Sequence, residues 1–448
     1  MMLPMNILSA EIENFRGLEK LAIPFDRHLT VFVGTNGSGK TAILDALALS
    51  LQNLMKRLFS GDPDSQECTA RKEDFRQDCT PINIHATFSC LQHNINCTLQ
   101  FLPDNTICAK IDNQDAFREL LFPGTASSAG LAGSVGTSSH SPIPVFARYT
   151  AHRYVKTASA GREPSFSKWS ALHHAFTDQI DFAAALSWFL DKSAEEARTA
   201  RMNRDPSFAL PELAALRKAV TLVLRDYEAP YVDNVPPQLF IRSREHPDIA
   251  LSVEQLGDST RTMLALVMDL AHRMAIANAH IPWEAGTTVL HSPGIVLVDE
   301  IELHLHPSWQ QTILPSLQAI FPNVQFIVTT QSPMVLSSVE DRHIRILEQG
   351  VLCSAPRGTW GADASRLLKR IFGVDSRPPS PATAQLTEYR ELVYADAWDS
   401  ERARQLRSIL DRRYGGEEPE LLDLDLYIDN RKWEQGLEKQ ARKIVHSR

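Results

Sequence analysis

The stretch Gly34-Thr-Asn-Gly-Ser-Gly-Lys40-Thr41 constrains this chain more than any other. It fits GxxxxGK[ST] and has the flanks that pattern needs. Leu29-Thr-Val-Phe-Val33 before it is a solid apolar strand signal, and after Thr41 the residues Ile43, Leu44, Leu47, Leu51 and Leu54 recur at the spacing of a helix that buries one face. Strand, glycine turn and helix in that order make a phosphate cradle. Backbone N–H groups of Asn36, Gly37, Ser38 and Gly39 converge at a helix N-terminus, where glycine lets an anion approach without an intervening Cβ. The ligand expected is ATP, with the Lys40 ammonium against its β- and γ-phosphates and the Thr41 hydroxyl on Mg2+.

Two later segments complete this reading. Gly294-Ile-Val-Leu-Val-Asp299-Glu300 is a continuous apolar run ending in two carboxylates, as expected of a buried parallel strand with its chemistry at the C-terminal end. Asp299 is expected to hold Mg2+, and Glu300 to orient or deprotonate the attacking water. A second buried strand, Val324-Gln-Phe-Ile-Val-Thr-Thr330, ends in Gln331-Ser332-Pro333, which places the Gln331 amide within reach of a γ-phosphate. His304 and His306 are further polar groups nearby. Their spacing admits a metal, but a loop facing a second subunit is the reading preferred.

Between these motifs the chain changes character. The fold class expected is α/β, a P-loop ATPase head interrupted by a mostly helical insertion and followed by a helical C-terminal region. Residues 1–122 form the first half of the head, with strand-like alternation at Ile82, Ile84 and Thr87-Phe88. Residues 123–142, rich in Gly and Ser, read as a flexible loop. Residues 143–165 are a strand-containing connection, and 166–240 a helical insertion with stripes at Phe182, Leu186, Phe189, Leu190 and at Leu213, Leu216, Val220, Leu224. Residues 241–350 form the second half of the head, and 351–448 a helical partner-binding region with a packing stripe at Leu386, Tyr389, Leu392 and Val393.

Composition excludes some functions. Acidic residues outnumber basic ones 54 to 46, a net charge of −8, so no basic sheath coats a duplex by charge alone. No apolar run of membrane-spanning length and no signal segment is present, so a cytoplasmic protein without membrane contact is expected. The six cysteines, Cys68, Cys79, Cys90, Cys97, Cys108 and Cys353, include no CxxC pair and read as ordinary half-buried thiols.

Asn14-Phe-Arg-Gly17, the phosphate loop, Leu297-Val-Asp-Glu-Ile-Glu-Leu-His-Leu-His-Pro-Ser-Trp-Gln310 and Phe321-Pro-Asn-Val-Gln-Phe-Ile-Val-Thr-Thr-Gln-Ser-Pro333 together resemble ABC-type ATPases of the RecF, SMC and OLD group. Within it the chain is most similar to the PtuA-type ATPases of Septu and retron-associated phage-defence systems. Trp360-Gly-Ala-Asp-Ala-Ser365, Phe372-Gly-Val-Asp-Ser-Arg377 and Gly416-Glu-Glu-Pro-Glu420 add to that similarity. The resemblance implies a two-lobed ABC-type head in a head-to-tail dimer or higher homo-oligomer that sandwiches ATP, with Arg16 contacting nucleotide and each site borrowing a signature loop from its neighbour. That loop falls on Leu256-Gly-Asp-Ser259, with Ser259 where the family pattern has glycine. Ser259 is expected to donate a hydroxyl hydrogen bond and to help cap the following helix. Gln331 stands where many such ATPases carry histidine.

The function expected is an ATP-binding and ATP-hydrolysing sensor and scaffold of an antiphage complex that controls a partner HNH nuclease of the PtuB kind. No nuclease pattern is evident in this chain, so nucleic acid is reached through the complex. The alternative is a RecF- or SMC-like repair ATPase that binds DNA directly through Arg198, Arg201, Arg204, Arg217, Lys218 and the 431–448 tail. These cations alternate with acids, as on a solvated helix face.

Overall fold

The computed structural model describes residues 5–58, 70–76, 80–90, 93–104, 106–112, 142–151, 154–155, 171, 175–177, 179–180, 182–233, 235–283 and 287–446. The chain divides into two compact units, Met1–Phe372 and Gly373–Arg448.

The first unit opens with β1 (Asn6–Phe15), β2 (Leu18–Pro24), β3 (Leu29–Val33), α1 (Lys40–Leu58), β4 (Ile82–Cys90), β5 (His93–Phe101), β6 (Ile107–Ile111) and β7 (Val145–Tyr149). The paired strands β8 (Tyr154–Val155) and β9 (Gln179–Ile180), the helices α2 (Phe182–Asn203) and α3 (Pro211–Val223), and the strands β10 (Tyr231–Asp233), β11 (Gln238–Arg242) and β12 (Ala250–Ser252) follow. Next come α4 (Asp258–Ala277), β13 (Gly294–Val298), α5 (Pro307–Gln310), α6 (Ile313–Ile320), β14 (Val324–Thr330), α7 (Pro333–Leu336), β15 (Ile344–Glu348), β16 (Val351–Ser354) and α8 (Ala364–Ile371).

Two large sheets organise these elements. One is antiparallel, in the order β2-β1-β4-β5-β6; the other runs β16-β15-β3-β14-β13-β7, parallel throughout except for β16 at its edge. Every residue of β3, β13 and β14 is buried, because both faces of this second sheet are covered. On one face Phe32, Phe146, Ile295, Leu297, Ile327 and Leu347 pack with α1 and the antiparallel sheet. On the other Val31, Val33, Val296, Val298, Phe326 and Val328 pack with residues of α2, α3, α4 and α6. Helix α4 is buried almost all round, which its run of Met263, Leu264, Ala265, Leu266, Val267 and Met268 permits.

Some details differ from the sequence reading. In α2 the buried face is Phe182, Ala185, Trp188 and Phe189; Leu186 and Leu190 are only partly buried. The buried face is thus rotated by about a fifth of a turn from the expected stripe, toward Ala185 and Trp188. The stretch 166–240 also contains β10 and most of β11, and 351–372 contributes β16 and α8 to the first unit. Cys97 is buried, whereas Cys108 and Cys353 are exposed, so the thiols do not share a half-buried environment. Cys68, Cys79 and all of the 123–142 loop except Pro142 lie outside the described residues. Among the described residues no helix is long and apolar enough to cross a membrane.

The second unit is a three-helix bundle of α9 (Pro381–Tyr394), α10 (Glu401–Tyr414) and α11 (Pro419–His446). Its core is Leu386, Tyr389, Val393, Ala403, Leu406, Leu410, Leu421, Leu424 and Ile428. Ser380 and Ser400 cap the first two helices by accepting hydrogen bonds from the amides of Thr383 and Ala403. Gly415, at φ 64°, ends α10 in the left-handed conformation that glycine adopts most easily. Arg407 forks onto Asp425 and ties α10 to α11.

A buried polar side chain helps to join the two sheets of the head. Gln325, fully buried in β14, accepts from the Ile7 amide at 2.7 Å and donates to the carbonyls of Ile7 at 2.9 Å and Asp26 at 2.7 Å. Replacing it with an apolar side chain removes the partner of two buried backbone groups, the Ile7 amide and carbonyl, and of the part-buried Asp26 carbonyl. Gln325→Leu should therefore lower unfolding stability by about 2–4 kcal/mol, measured by urea denaturation of the first unit's transition; an unchanged midpoint would show that water or relaxation replaces the amide.

Candidate nucleotide site

Because β15, β3, β14, β13 and β7 run in one direction, their C-terminal ends share one edge of the sheet. The phosphate loop leaves β3 there and α1 starts at Lys40 beneath it. Asp299 and Glu300 follow β13, and Gln331 follows β14, which lies between β3 and β13. Residues separated by more than 250 positions thus meet: the Thr41 hydroxyl donates to Asp299 Oδ2 at 2.9 Å.

The loop's glycines are required by space and by backbone angle. A Cβ on Gly34 would lie 2.4 Å from the Leu347 carbonyl oxygen and 2.7 Å from Ser38 Oγ. Gly37 and Gly39 have φ of 79° and 103°. The Lys40 ammonium donates to the carbonyls of Gly34 and Thr35, each at 2.8 Å. Burial lowers its pKa from the ordinary lysine value, despite the carboxylates of Asp299, Glu300 and Glu302 nearby. The Ser38 hydroxyl oxygen is buried with no hydrogen-bond partner among the described residues.

Thr329 organises the carboxylates. Its hydroxyl donates to Asp299 Oδ1 at 2.5 Å and accepts from the Glu300 amide at 2.7 Å. Asp299 is also held through its own amide, which donates to the Tyr149 carbonyl at 2.8 Å. Gln331 Nε2 donates to Glu300 Oε1 at 3.3 Å, while the Gln331 amide donates to Glu302 Oε1 at 2.6 Å. Burial pushes the Glu302 carboxyl up from its ordinary value. Glu300 adopts φ 47°, a left-handed conformation that costs energy for a residue with a side chain and sets the direction of its carboxylate.

Arg16 sits at the β1–β2 turn with φ 50°. It pairs with Asp45 at 2.6 Å and Asp74 at 2.8 Å, and these partners raise its pKa although burial acts the other way. Asp45, one helical turn beyond Thr41, also pairs with Arg148 of β7. Burial raises the Asp45 carboxyl even beside two guanidinium groups. Tyr149 donates its hydroxyl to Asp269 at 2.8 Å, and Asp269 is held by Arg273 at 2.8 Å, which connects α4 to the strand beneath Asp299.

Ser259 stands apart from this cluster. It is not the helix cap expected from the sequence, since α4 begins at Asp258 and Gly257 occupies the cap position. Its hydroxyl donates to the His304 carbonyl. His306 caps α5 through its ring, accepting from the Ser308 amide. No group of three or more metal-ligating side chains occurs among the described residues. The sequence reading missed Tyr149, Thr329, Asp45, Arg148 and Glu302. Asp45 had a signal in its four-residue spacing from Thr41, and Thr329 in its place at a buried strand end.

The two sheets flanking α1, with the phosphate loop at the parallel sheet's edge, form the two-lobed head of an ABC-type P-loop ATPase. An AAA ATPase domain family matches residues 5–129, and the family described as AAA domain, putative AbiEii toxin, Type IV TA system matches residues 152–337. The retron Ec83 probable ATPase of Escherichia coli is 28% identical, covering 97% of this chain and 89% of that protein. Septu protein PtuA of Bacillus thuringiensis is 22% identical, covering 86% of this chain and 88% of its own length. An SMC head bound to the C-winged helix domain of ScpA aligns with a TM-score of 0.44 at 16% identity, over 78% of this chain and 97% of that one. The chain is an ATPase that is similar over most of its length to retron and Septu PtuA proteins.

Proposed function

We propose that this chain is the ATP-sensing scaffold of a cytoplasmic antiphage-defence complex: two copies pair head-to-tail around ATP, and ATP occupancy sets the activity of a separate HNH nuclease of the PtuB kind. The observation that carries the ATP chemistry is the hydrogen-bonded run Thr41–Asp299–Thr329–Glu300–Gln331, gathered from three strand ends. Kinship with the retron and Septu proteins over most of the chain supports the defence setting.

The residues fit a magnesium triphosphate. Thr41 and Asp299 are hard oxygen donors already within hydrogen-bond distance of each other, and the loop has no room for a Cβ at Gly34. Mg2+, when bound, neutralises charge on the β- and γ-phosphate oxygens. The backbone amides of Asn36, Gly37, Ser38 and Gly39 bind the phosphates, and Lys40 exchanges its carbonyl partners for phosphate oxygens. Arg16, oriented by Asp45 and Asp74, presents its guanidinium to the nucleotide. Glu300 accepts a proton from the attacking water, while Gln331 holds one of its carboxylate oxygens and orients that water toward the γ-phosphate. Gln331 remains neutral at every pH, so this position orients without carrying charge. Ser259 donates its hydroxyl to the γ-phosphate bound by the second copy, leaving the His304 carbonyl when heads pair.

Direct DNA binding is less well supported. Arg217 is already paired with Glu196 at 2.8 Å, and Arg431 with Asp396 and Glu434 at 3.0 Å each, so these cations are neutralised within the chain.

Two substitutions separate binding from chemistry. Lys40→Ala should weaken ATP binding by at least about 30-fold, read by titration calorimetry. Glu300→Gln should leave affinity within about threefold while lowering phosphate release by about 100-fold or more. Equal affinity in the first or equal release in the second would remove that residue from its role. For the partner, purification from the native host should recover an HNH nuclease with the tagged chain; its absence from both the complex and the neighbouring genes would overturn the scaffold assignment.

A further inference from the structure

Helix α11 is apolar on two sides. Leu421, Leu424 and Ile428 are buried in the three-helix core, whereas Leu422, Leu426, Trp433 and Leu437 are 50%, 64%, 68% and 47% exposed. At about 100° per residue these four fall within an arc of about 60°, a stripe roughly 22 Å long. An exposed apolar stripe of this kind marks an interaction surface.

The spacing of the stripe identifies its occupant. It is symmetric about the peptide joining Asp429 and Asn430: Leu426 and Trp433 lie three residues outward on either side, and Leu422 and Leu437 seven. Laid antiparallel across a second copy of itself with a two-fold axis at that peptide, Leu426 faces Trp433 of the partner subunit. Leu422 then faces Leu437 of the partner subunit, and each contact occurs twice, the condition for a closed isologous interface.

Charge selects the same arrangement. Lys432 and Asp429 are exposed on one flank of the stripe, and neither makes an intramolecular ion pair among the described residues. Their neighbours Arg431 and Asp425 are already paired, with Asp396 and Arg407. In the antiparallel pair Lys432 falls beside Asp429 of the partner subunit, twice over; a parallel pair, whose two-fold axis runs along the helices, carries the two flanks to opposite sides of the seam and makes neither contact. We propose that α11 is a self-association surface through which two copies of this chain pair antiparallel, without ATP.

The test uses the full chain carrying Lys40→Ala in ATP-free buffer, so that nucleotide-driven head pairing does not contribute, with mass read by sedimentation velocity. The parent should sediment as a dimer, and Leu426→Asp/Trp433→Asp as a single chain with an unchanged circular-dichroism melt. Lys432→Asp should weaken self-association by about tenfold, since two pairs become repulsive at once, and adding Asp429→Lys should restore it. A monomeric parent, a dimer indifferent to the stripe substitutions, or charge reversal without rescue would each overturn the proposal. None of these outcomes bears on the ATP site.

Discussion

The hydrogen bond from Thr41 to Asp299 joins the two halves of the head at the point where chemistry is placed. It exists because β3 and β13 lie in one parallel sheet with only β14 between them, so that the loop after one strand and the carboxylates after the other share an edge. Thr329, at the end of that intervening strand, holds Asp299 and Glu300 by one hydroxyl. Three further contacts of the first unit hold these ends in place. The α1 helix is clamped between the two sheets, Gln325 fastens the sheets together, and the buried Asp269–Arg273 pair holds Tyr149 beside Asp299.

This arrangement explains how a long, structurally varied stretch can separate the motifs without disturbing them. Both α2 and α3 pack on the face of the parallel sheet opposite α1, and β7 adds to its edge beside β13. The intervening chain therefore strengthens the core instead of hanging from it. The second unit has a core of its own, which lets its surface evolve toward partners independently of the constraints on the ATP site.

The strands that end at the candidate site were legible in the sequence because strands buried on both faces become continuous apolar runs, and Leu29–Val33, Gly294–Val298 and Val324–Thr330 are such runs. The phosphate loop was legible because its glycines and lysine are local. Residues that act only through topology were not. Gln325 looks like a polar interruption of a strand until β1 is seen to cross it, and Arg148 and Asp45 gain meaning only when β7 lies beside β13. Trp188 displaced the expected α2 stripe because the size of a side chain, not its spacing alone, decides which face is buried. Ser259 lies two residues beyond the cap position, which Gly257 fills because α4 starts at Asp258.

The central claim is that ATP is hydrolysed at a site made from one chain's phosphate loop and another chain's signature loop. It is tested most directly by mixing two inactive chains, Lys40→Ala and Ser259→Arg, and measuring phosphate release. Head-to-tail pairing gives each mixed dimer one site in which both loops are intact, so the mixture should recover about a quarter of wild-type activity. A mixture no more active than either variant alone would contradict the account.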